Sequence, residues 1–260
     1  MSNLKNPKWT KTQYGMERAT LYPYESPKIN FLIKKGVLKN LPTDYDFSNR
    51  IPVLAIGSNR NPAQIIRKFG NENEIPVTNA ILKNCDVIHS SLISYYGAVP
   101  ATIWPSSGSR VNLSINWLND LQLKKMHETE AVGKAYDFVV FDDETVILDD
   151  YKNSSKTVYG YVAISGGLKF DDSMPRALSA ISNQKRTLKN ATQEEAIKKV
   201  ASYILEKVDQ NKINIFRERI ITDENYRYEI YKNLESLSIK YKNFPWKNLS
   251  IKKVNSENYF

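Results

Sequence analysis

A short turn of small and polar residues, Gly57-Ser58-Asn59, lies between an apolar run and the start of a helix pattern. The run at residues 51–56 favours a β-strand, whereas Asn61 suits an N-cap and Pro62 suits the first helical position. Backbone N–H groups at such a junction have no intrahelical partner and lie at the positive end of the helix dipole. The turn therefore suits a carboxylate, a phosphate or an oxyanion, and the same pattern also fits a plain strand–turn–helix connection.

A second group of reactive side chains lies in residues 123–130, at the end of another helix pattern. His127 and Glu130 are three positions apart, so they share one face if the helix persists. A carboxyl group in a pocket can transfer protons near neutral pH when burial raises its pKa. Glu130 is therefore a candidate acid/base, and Glu128 fits a solvated helix end. Because His89, His127 and Glu130 lack the spacing of known metal ligands, we expect no metal and no other cofactor.

Other polar residues are weaker candidates. Ser58 is a nucleophile without an assignable base, and Cys85 fits a small buried hydrophobe within a strand. Arg60 and Arg110 suit bidentate contact with a substrate carboxylate, or they are surface charges. The sequence contains no Walker-type phosphate loop, no glycine fingerprint of dinucleotide-binding folds and no nucleophile elbow.

The composition of the 260 residues is that of a globular protein, with 41% hydrophobic and 11% aromatic residues. A single cysteine excludes an intrachain disulfide, and the polar N-terminus lacks the apolar segment of a secretion signal. We therefore expect a cytoplasmic protein. No apolar run approaches the length of a membrane span, so we expect no membrane partner. The sequence carries no signal for an oligomeric state.

The formal net charge of +9 suggests a nucleic-acid partner, but its distribution weakens that interpretation. Residues 1–70 carry a net charge of +8, residues 71–190 carry −2 and residues 191–260 carry +3. The middle segment, which holds the best motifs, is therefore slightly acidic. A basic patch on the N-terminal third remains the basis of a nucleic-acid hypothesis.

The elements that must position these residues are mostly strands before residue 165 and mostly helices after residue 170. A Ser-Gly turn at 106–109 predicts a hairpin, and the acidic turn at 142–144 predicts another between its flanking strands. We interpret residues 1–28 as irregular, expect helix after the Gly166-Gly167 pair, and expect the segment around Trp246 to be a tail packed on the surface. Strand patterns occur at residues 29–37, 51–56, 80–95, 99–104, 111–117 (half-buried), 136–141, 145–148 and 158–164, and helix patterns at 62–69, 120–129, 193–208 and 217–237.

This order of elements predicts an α+β fold with a mainly antiparallel sheet or a small barrel. Strands alternate with few long helices up to residue 165, which argues against the regular βαβ pattern of a parallel sheet.

Several segments together resemble the γ-glutamylcyclotransferase-like family. The family has a Tyr-Gly-Ser-Asn loop after its first strand, matched here by Ile56–Asn59. Gly97–Pro105 is similar to its strand of small and β-branched residues, and Ser107–Val111 is similar to the turn that follows. Leu123–Glu130 matches a helix that ends in a glutamate, and Tyr136 matches an aromatic residue that comes later. The resemblance covers residues 51–165.

The resemblance implies a small mixed, mainly antiparallel barrel flanked by helices. It also implies an activity: a γ-glutamyl amine or a related small amide is converted to 5-oxoproline when the substrate's α-amine attacks its γ-carbonyl. Glu130 would then be the catalytic acid/base, and Ile56, Gly57, Ser58, Asn59 and Tyr136 would bind the substrate with Arg60 and Arg110. Oriented N–H donors and a held amine are what such a reaction needs.

Two departures from the family suggest a divergent member. Ile56 replaces the family's tyrosine, and Ala131 stands where a glycine often follows the glutamate. The remaining segments have no counterpart in the minimal family fold. We therefore predict an N-terminal extension (residues 1–50), a core (51–165) and a helical C-terminal extension packed on the core (166–260).

Three functional hypotheses follow. The first is a cyclotransferase with a small γ-glutamyl or amide substrate. The second is a non-catalytic module that binds a small molecule or a protein on the same fold. The third, which the charge distribution weakens, is a basic nucleic-acid-binding protein.

Overall fold

The computed structural model describes residues 9, 11, 14–71, 73–148, 157–241 and 243–249. Within these ranges most of the secondary structure is β-strand in the first two thirds and α-helix in the last third. The strands are β1 Phe31–Lys34, β2 Val37–Asn40, β3 Ile51–Ala55, β4 Glu74–His89, β5 Ala101–Leu118, β6 Tyr136–Phe141, β7 Val146–Leu148, β8 Tyr159–Ala163, β9 Gly167–Leu168, β10 Ala177–Leu178, β11 Asn183–Gln184, β12 Asn190–Ala191, β13 Ser238–Ile239 and β14 Trp246–Asn248. The helices are α1 Gly15–Thr20, α2 Pro62–Phe69, α3 Asp120–Thr129, α4 Gln193–Ile204, α5 Gln210–Thr222 and α6 Glu224–Asn233.

Two long antiparallel strands, β4 and β5, form the centre of the main sheet. β5 also pairs with β3, which pairs in parallel with β8, and β8 continues through β6 to β14. The full path runs β12-β10-β4-β5-β3-β8-β6-β14, with β1, β2, β7 and β11 attached beside it. The fold is α+β with a mainly antiparallel sheet, as the sequence predicts. The path between the described strands does not close on itself, so the predicted barrel is not confirmed.

The alternating segment from Val111 to Trp117 is a strand, as predicted, but from Leu113 onward it is buried on both faces, and only Asn112 in this segment is exposed. Its apolar side chains belong to the main core, and Trp117 is fully buried. Its polar side chains Ser114 and Asn116 are buried as well, because other elements cover the second face. The alternating pattern predicted a half-buried strand, so it underestimated the burial of β5. One consequence is that the amide side chain of Asn116 is buried.

The hairpin turn predicted at residues 106–109 is wrong, because these residues form a bulge inside β5. Opposite them β4 contributes only Asn84, and the two strands pair on both sides of the bulge. Asn84 and Gly108 have positive φ angles of 54° and 76°, and Asn84 Oδ1 accepts a hydrogen bond from the Gly108 N–H at 3.0 Å. Glycine and serine favour a reversal, but both flanking segments pair with the same strand, so the extra residues loop out.

The predicted hairpin across residues 142–144 is also wrong. The chain does turn there, and the Thr145 N–H donates to the Asp142 carbonyl at 3.1 Å. After the turn, β7 pairs with β4 rather than with β6. Both edges of β6 are already occupied, by β8 and β14.

The helix starts that position the site are confirmed. Asn61 caps α2 by accepting from the Gln64 N–H at 3.0 Å. Asn119 and Gln122 form a capping box at α3, and Thr192 begins α4 with a similar box. Each cap is a local hydrogen-bond pattern, which is why the sequence shows it clearly.

Three other expectations about helices are wrong. The segment that follows Gly166-Gly167 forms the short strands β9–β12, and helix begins only at Gln193. The helix predicted for residues 217–237 is interrupted at Asp223, which accepts from the Tyr226 N–H at 2.9 Å and so caps α6. Residues 1–28 were expected to be irregular, but they contain α1.

Both predicted extensions contribute strands to the main sheet. β1 and β10 pair with β4, and β14 pairs with β6. Trp246 in β14 is only 7% exposed and packs on Phe141, so this segment belongs to the sheet rather than forming a surface tail. The division at residues 50 and 165 stays a prediction.

In the described ranges no helix has the length and apolar character needed to cross a bilayer. Cys85, the one cysteine of the chain, is fully buried in β4, as expected. Burial and the neighbouring Asp86 carboxylate raise the pKa of its thiol to about 12. The thiol is therefore protonated and shielded at neutral pH.

Candidate functional site

The predicted anion-binding turn forms a 3-10 turn of its own, Ser58–Arg60, before α2 begins. The N–H groups of Ser58 and Asn59 make no hydrogen bond within the described part of the chain. Gly57 precedes the turn, and a Cβ atom there would fall far inside van der Waals contact with the Tyr22 hydroxyl. Glycine thus permits a close approach, and the turn presents two donors that suit an oxyanion.

Asn59 joins this turn to Glu130. Its Nδ2 donates to Glu130 Oε1 at 2.9 Å, although the two residues are 71 positions apart in the sequence. Asn116 Nδ2 of β5 donates to the Asn59 carbonyl at 3.1 Å and ties the turn to the sheet. The buried Oδ1 atoms of Asn59 and Asn116 have no hydrogen-bond partner among the described residues. The turn therefore offers an open acceptor, Asn59 Oδ1, as well as open donors.

The end of α3 positions Glu130. Ala131 follows it with a positive φ of 48°. The Ala131 N–H donates to the Glu128 carbonyl and the Val132 N–H donates to the His127 carbonyl, both at 3.2 Å. These bonds end the helix with a left-handed residue, which is usually glycine. Ala131 thus adopts the left-handed conformation for which glycine is the usual residue.

Glu130 is paired with Lys68 of α2. The Lys68 ammonium contacts Glu130 Oε1, and the two side chains are only 6% and 14% exposed. Lys68 Nζ also lies 3.3 Å from the Met126 sulfur. The two opposite charges compensate each other in a setting where a lone charge would be costly. Glu130 is therefore both beside the turn and in an ion pair.

A cavity of about 310 Å³ joins the turn to Glu130. This volume lies at the small end of the range of about 300–1,000 Å³ that is usual for ligand sites. Its walls come from α1 and the segment after it, the β3–α2 junction, the loop before β5, the end of α3, and strands β6 and β8. The cavity therefore depends on parts of the chain that are distant in sequence.

Tyrosine hydroxyls line the cavity beside Ala101. Tyr22 Oη accepts from the Ala101 N–H at 2.8 Å, and Tyr136 Oη donates to the Ala101 carbonyl at 3.1 Å. Tyr161 Oη lies 2.9 Å from His127 Nδ1. Burial raises the pKa of Tyr22 and of Tyr161 and lowers the pKa of His127. The hydroxyls therefore keep their protons, and the Nδ1 atom of a neutral His127 can accept a hydrogen bond from the Tyr161 hydroxyl.

Four cations line the same cavity: Arg18, Arg67, Lys68 and Lys125. Among the described lining residues, Glu130 supplies the only carboxylate. Burial and the nearby Arg18 charge lower the pKa of Arg67. The cavity wall thus carries a positive excess that favours an anionic ligand.

The structure brings together six of the eight residues that the sequence assigned to the site. Arg60 and Arg110 do not line the cavity. Arg60 is partly buried next to the turn, where burial lowers its pKa to about 10. Arg110 is exposed beside the β5 bulge, where its N–H donates to Asn183 Oδ1 at 3.1 Å. The residues that do line the cavity are Ile56, Gly57, Ser58, Asn59, Glu130 and Tyr136.

The histidines do not form a metal site with Glu130. His89 is fully buried, and its Nε2 lies 3.0 Å from the Ala191 carbonyl. His127 faces Phe138 and Tyr161. Within the described ranges, no group of three or more His, Cys, Asp or Glu side chains is placed to hold a metal ion.

Sequence reasoning missed most residues of the wall, among them residues of α2 and of the segment around α1. Gln64, Arg67 and Lys68 are spaced i, i+3, i+4, so they share one face of α2. That spacing could have indicated a polar helix face directed toward the turn. Arg18 and Tyr22 had no comparable signal, because only tertiary packing brings the segment around α1 to the cavity.

No family model and no curated protein matches the chain. Among solved structures, the chain is similar to a protein from Arabidopsis thaliana, with 21% identity over 50% of this chain and 77% of that one, at a TM-score of 0.37. It is similar to a gamma-glutamyl cyclotransferase, with 13% identity over 70% and 86% of the two chains, at a TM-score of 0.37. It is also similar to an uncharacterized protein from Homo sapiens, with 14% identity over 76% and 94%, at a TM-score of 0.36. Because these TM-scores and identities are low, any functional conclusion has to rest on the geometry of the site.

Proposed function

We propose that this protein is a γ-glutamylcyclotransferase-like enzyme that acts on a γ-glutamyl amine or a related small amide and releases 5-oxoproline. The observation that carries the proposal is the 2.9 Å hydrogen bond from Asn59 Nδ2 to Glu130 Oε1 inside one cavity. It supports the proposal because it brings a carboxylate that could act as acid/base next to a turn with open backbone donors. The cavity volume of about 310 Å³ suits a ligand of dipeptide size.

The turn would hold the γ-carbonyl of the substrate. In the proposed reaction, the carbonyl oxygen accepts from the N–H groups of Ser58 and Asn59, which have no partner in the described part of the chain. These donors stabilise the negative charge that develops on this oxygen during attack. Tyr22, whose hydroxyl lies against Gly57, compensates for the hydroxyl that is lost at Ile56.

Glu130 would move the proton. The substrate's α-amine attacks its own γ-carbonyl carbon, so a new C–N bond closes the five-membered ring. The α-amino group binds as an ammonium and loses two protons in all. Glu130 takes the first, which frees the nitrogen lone pair for attack, and delivers it to the leaving nitrogen as the original amide bond breaks; it then takes the second from the new ring nitrogen and passes it to the departing amine. Atoms balance without water: one γ-glutamyl amide gives one 5-oxoproline and one free amine.

The ion pair gives Lys68 a part in substrate binding. The substrate's ammonium replaces the Lys68 ammonium at Glu130 Oε1, which conserves the charge balance of the cavity. The open Oδ1 of Asn59 accepts a second hydrogen bond from the same ammonium. Lys68 then neutralises the α-carboxylate on the same carbon.

The test is the replacement Glu130→Gln, which keeps the hydrogen-bonding shape of the side chain but removes its base. We expect 5-oxoproline release from a panel of γ-glutamyl amines to fall by about 100-fold or more. The matched control is Glu128→Gln, on the same helix but outside the cavity wall, which should keep the wild-type rate. Turnover by Glu130→Gln at the wild-type rate would refute the mechanism.

A non-catalytic binding module is the second candidate, and the Lys68–Glu130 ion pair favours it. A carboxylate held by lysine can serve recognition without proton transfer. If this candidate is right, the wild-type protein binds γ-glutamyl compounds in calorimetry but forms no 5-oxoproline from any of them. Together with this function we propose three further points. The sheet closes into a barrel, the protein is cytoplasmic, and segments 1–50 and 166–260 are extensions of the core.

A further inference from the structure

We infer that Arg18 and Arg67 form a subsite for an anionic group, a carboxylate or a phosphate, on the amine portion of the substrate. The inference rests on the proposed function, because it names which γ-glutamyl amines the cavity selects. The enzyme would prefer substrates whose leaving amine carries a negative charge over those whose leaving amine is neutral.

The first support is the absence of carboxylate partners. Lys68 is paired with Glu130 and Lys125 is paired with Glu128. In the described ranges neither Arg18 nor Arg67 makes an ion pair with a carboxylate. The Nε atom of Arg18 is buried and has no hydrogen-bond partner there. Two neighbouring guanidinium groups without an anion are the signature of an anion site.

The second support is that Arg18 is held in place before a ligand arrives. Its Cζ lies 3.9 Å from the ring centre of Tyr96 and 4.7 Å from that of Tyr95. Its Nη2 also donates to Tyr95 Oη at 2.6 Å. Stacking and a hydrogen bond fix the plane of the guanidinium group, so little rotamer freedom is lost on binding.

The third support is the position of the pair relative to Glu130. Arg18 and Arg67 line the cavity with Tyr95 and Tyr96, and Arg18 stacks on both of these rings, whereas Glu130 is bonded to Asn59 and Lys68. Consecutive residues on a helix point about 100° apart, so Lys68 reaches Glu130 while Arg67 turns toward Arg18. A substrate with its γ-glutamyl group at Glu130 therefore extends its amine portion toward the arginines.

The experiment compares kcat/KM for three substrates that differ only in the amine portion. These are γ-glutamylglycine with a carboxylate, γ-glutamylaminomethylphosphonate with a phosphonate, and neutral γ-glutamylglycinamide. We expect the wild type to prefer an anionic substrate over the amide by at least tenfold, as charge-assisted hydrogen bonds imply. Arg18→Gln and Arg67→Gln should reduce this ratio to about threefold or less, and Arg67→Lys should give an intermediate ratio. The two anionic substrates distinguish carboxylate from phosphate recognition.

The matched control is Arg219→Gln. Arg219 also stacks on a tyrosine, with its Cζ 3.9 Å from the Tyr226 ring centre, but it does not line the cavity. This variant should keep the wild-type ratio. If Arg67→Gln lowers kcat/KM equally for all three substrates, the arginines bind the α-carboxylate shared by all of them, and the inference is overturned.

A binding measurement separates failure of the subsite from failure of the proposed function. Succinate and inorganic phosphate are titrated into the wild type and the same variants by calorimetry. Binding that is lost in Arg18→Gln and Arg67→Gln but kept in Arg219→Gln supports the subsite even if no γ-glutamyl compound is turned over. Turnover with an unchanged anionic-to-neutral ratio overturns the subsite and leaves the cyclotransferase proposal standing. Unchanged thermal midpoints show that each variant is folded.

Discussion

Gly57 and Tyr22 are coupled through a single close approach. A Cβ atom at Gly57 would overlap the Tyr22 hydroxyl, and that hydroxyl is held by the Ala101 N–H at 2.8 Å. Tyr22 is 6% exposed, so its ring has little room to move. The contact therefore links the predicted oxyanion turn to a residue far outside it in sequence.

We predict that Gly57→Ala lowers the free energy of unfolding by about 1–3 kcal/mol, which is usual for overpacking a filled site. Urea denaturation would measure the change. Tyr22→Phe removes the overlapping oxygen, so the double variant should lose less stability than the sum of the two single variants. If the losses of the two single variants simply add in the double variant, the Tyr22 hydroxyl is not what limits the space at position 57.

His89 predicts a dependence of stability on pH. Burial lowers its pKa to about 4, whereas in the unfolded chain it is about 6.5. The unfolded state therefore binds a proton first as the pH falls, so the free energy of unfolding is highest above pH 6.5 and decreases toward pH 4. The loss from this group is at most about 3 kcal/mol. Denaturation midpoints at pH 7 and pH 5 should differ less in His89→Gln than in the wild type, and an equal difference in both proteins would contradict the assignment.

At the scale of elements, the bulge between β4 and β5 shifts the register with which the two long strands pair. Asn84 holds a positive φ and also bonds to Gly108. Asparagine tolerates this conformation better than most residues, and glycine tolerates it best.

We predict that Asn84→Ala destabilises the protein by about 1–2 kcal/mol and that Asn84→Gly costs less, because glycine loses only the hydrogen bond. Thermal unfolding followed by circular dichroism would rank the two variants. Equal losses for the two variants would mean that the side-chain bond, which both variants lack, rather than the backbone angle, stabilises the bulge.

The elements that the sequence predicted well are those fixed by local hydrogen bonds. The caps at Asn61, Asn119 and Thr192 each involve residues within one turn. The errors lie where the choice of partner strand, rather than the local sequence, determines the structure. Residues 106–109 carry turn-forming residues, but β4 holds both of their flanks, and β7 leaves a true turn to pair with β4 instead of β6.

The same distinction applies to the site. The turn and Glu130 were predictable because each ends a recognisable element, and the 2.9 Å contact between Asn59 and Glu130 unites them. Arg60 and Arg110 were chosen because arginine suits bidentate contact with a carboxylate, but residue type does not determine where a side chain points. Arg18 and Tyr22 reach the cavity through packing of a distant segment, and no local pattern encodes that.

At the scale of the whole molecule, one buried ion pair joins segments that are 100 residues apart. Arg186 Nε donates to Asp86 Oδ2 at 2.8 Å, and Arg186 Nη2 donates to Oδ1 at 3.0 Å. The Asp86 side chain is 0% exposed. The ion pair therefore connects the segment before β12 to β4.

We predict that Arg186→Met lowers the free energy of unfolding by about 3–5 kcal/mol, because it leaves the Asp86 carboxylate buried and unpaired. Arg219→Met is the control, since the Arg219–Asp223 pair is 57% and 40% exposed and its loss should change stability much less. Adding Asp86→Asn to Arg186→Met should restore part of the loss. A double variant no more stable than Arg186→Met alone would argue against a burial penalty.

The basic charge of the molecule has a local counterpart in the cavity. Four cations and one carboxylate line it among the described residues, although the segment 71–190, which contains Glu130, is slightly acidic overall. Net charge alone thus says little about the ligand. The nucleic-acid hypothesis stays a prediction, and salt-dependent binding to DNA or RNA would be its test.

The burial of Cys85 makes the reaction rate of its thiol a measure of how often the centre of the sheet opens. A thiol-specific reagent cannot reach this side chain, which is 0% exposed, until β4 separates from its neighbours. Because the chain has one cysteine, the labelling rate of the unmodified protein reports a single opening event at the centre of the sheet. Measured over a range of denaturant concentrations, that rate would distinguish a local breathing motion of β4 from global unfolding.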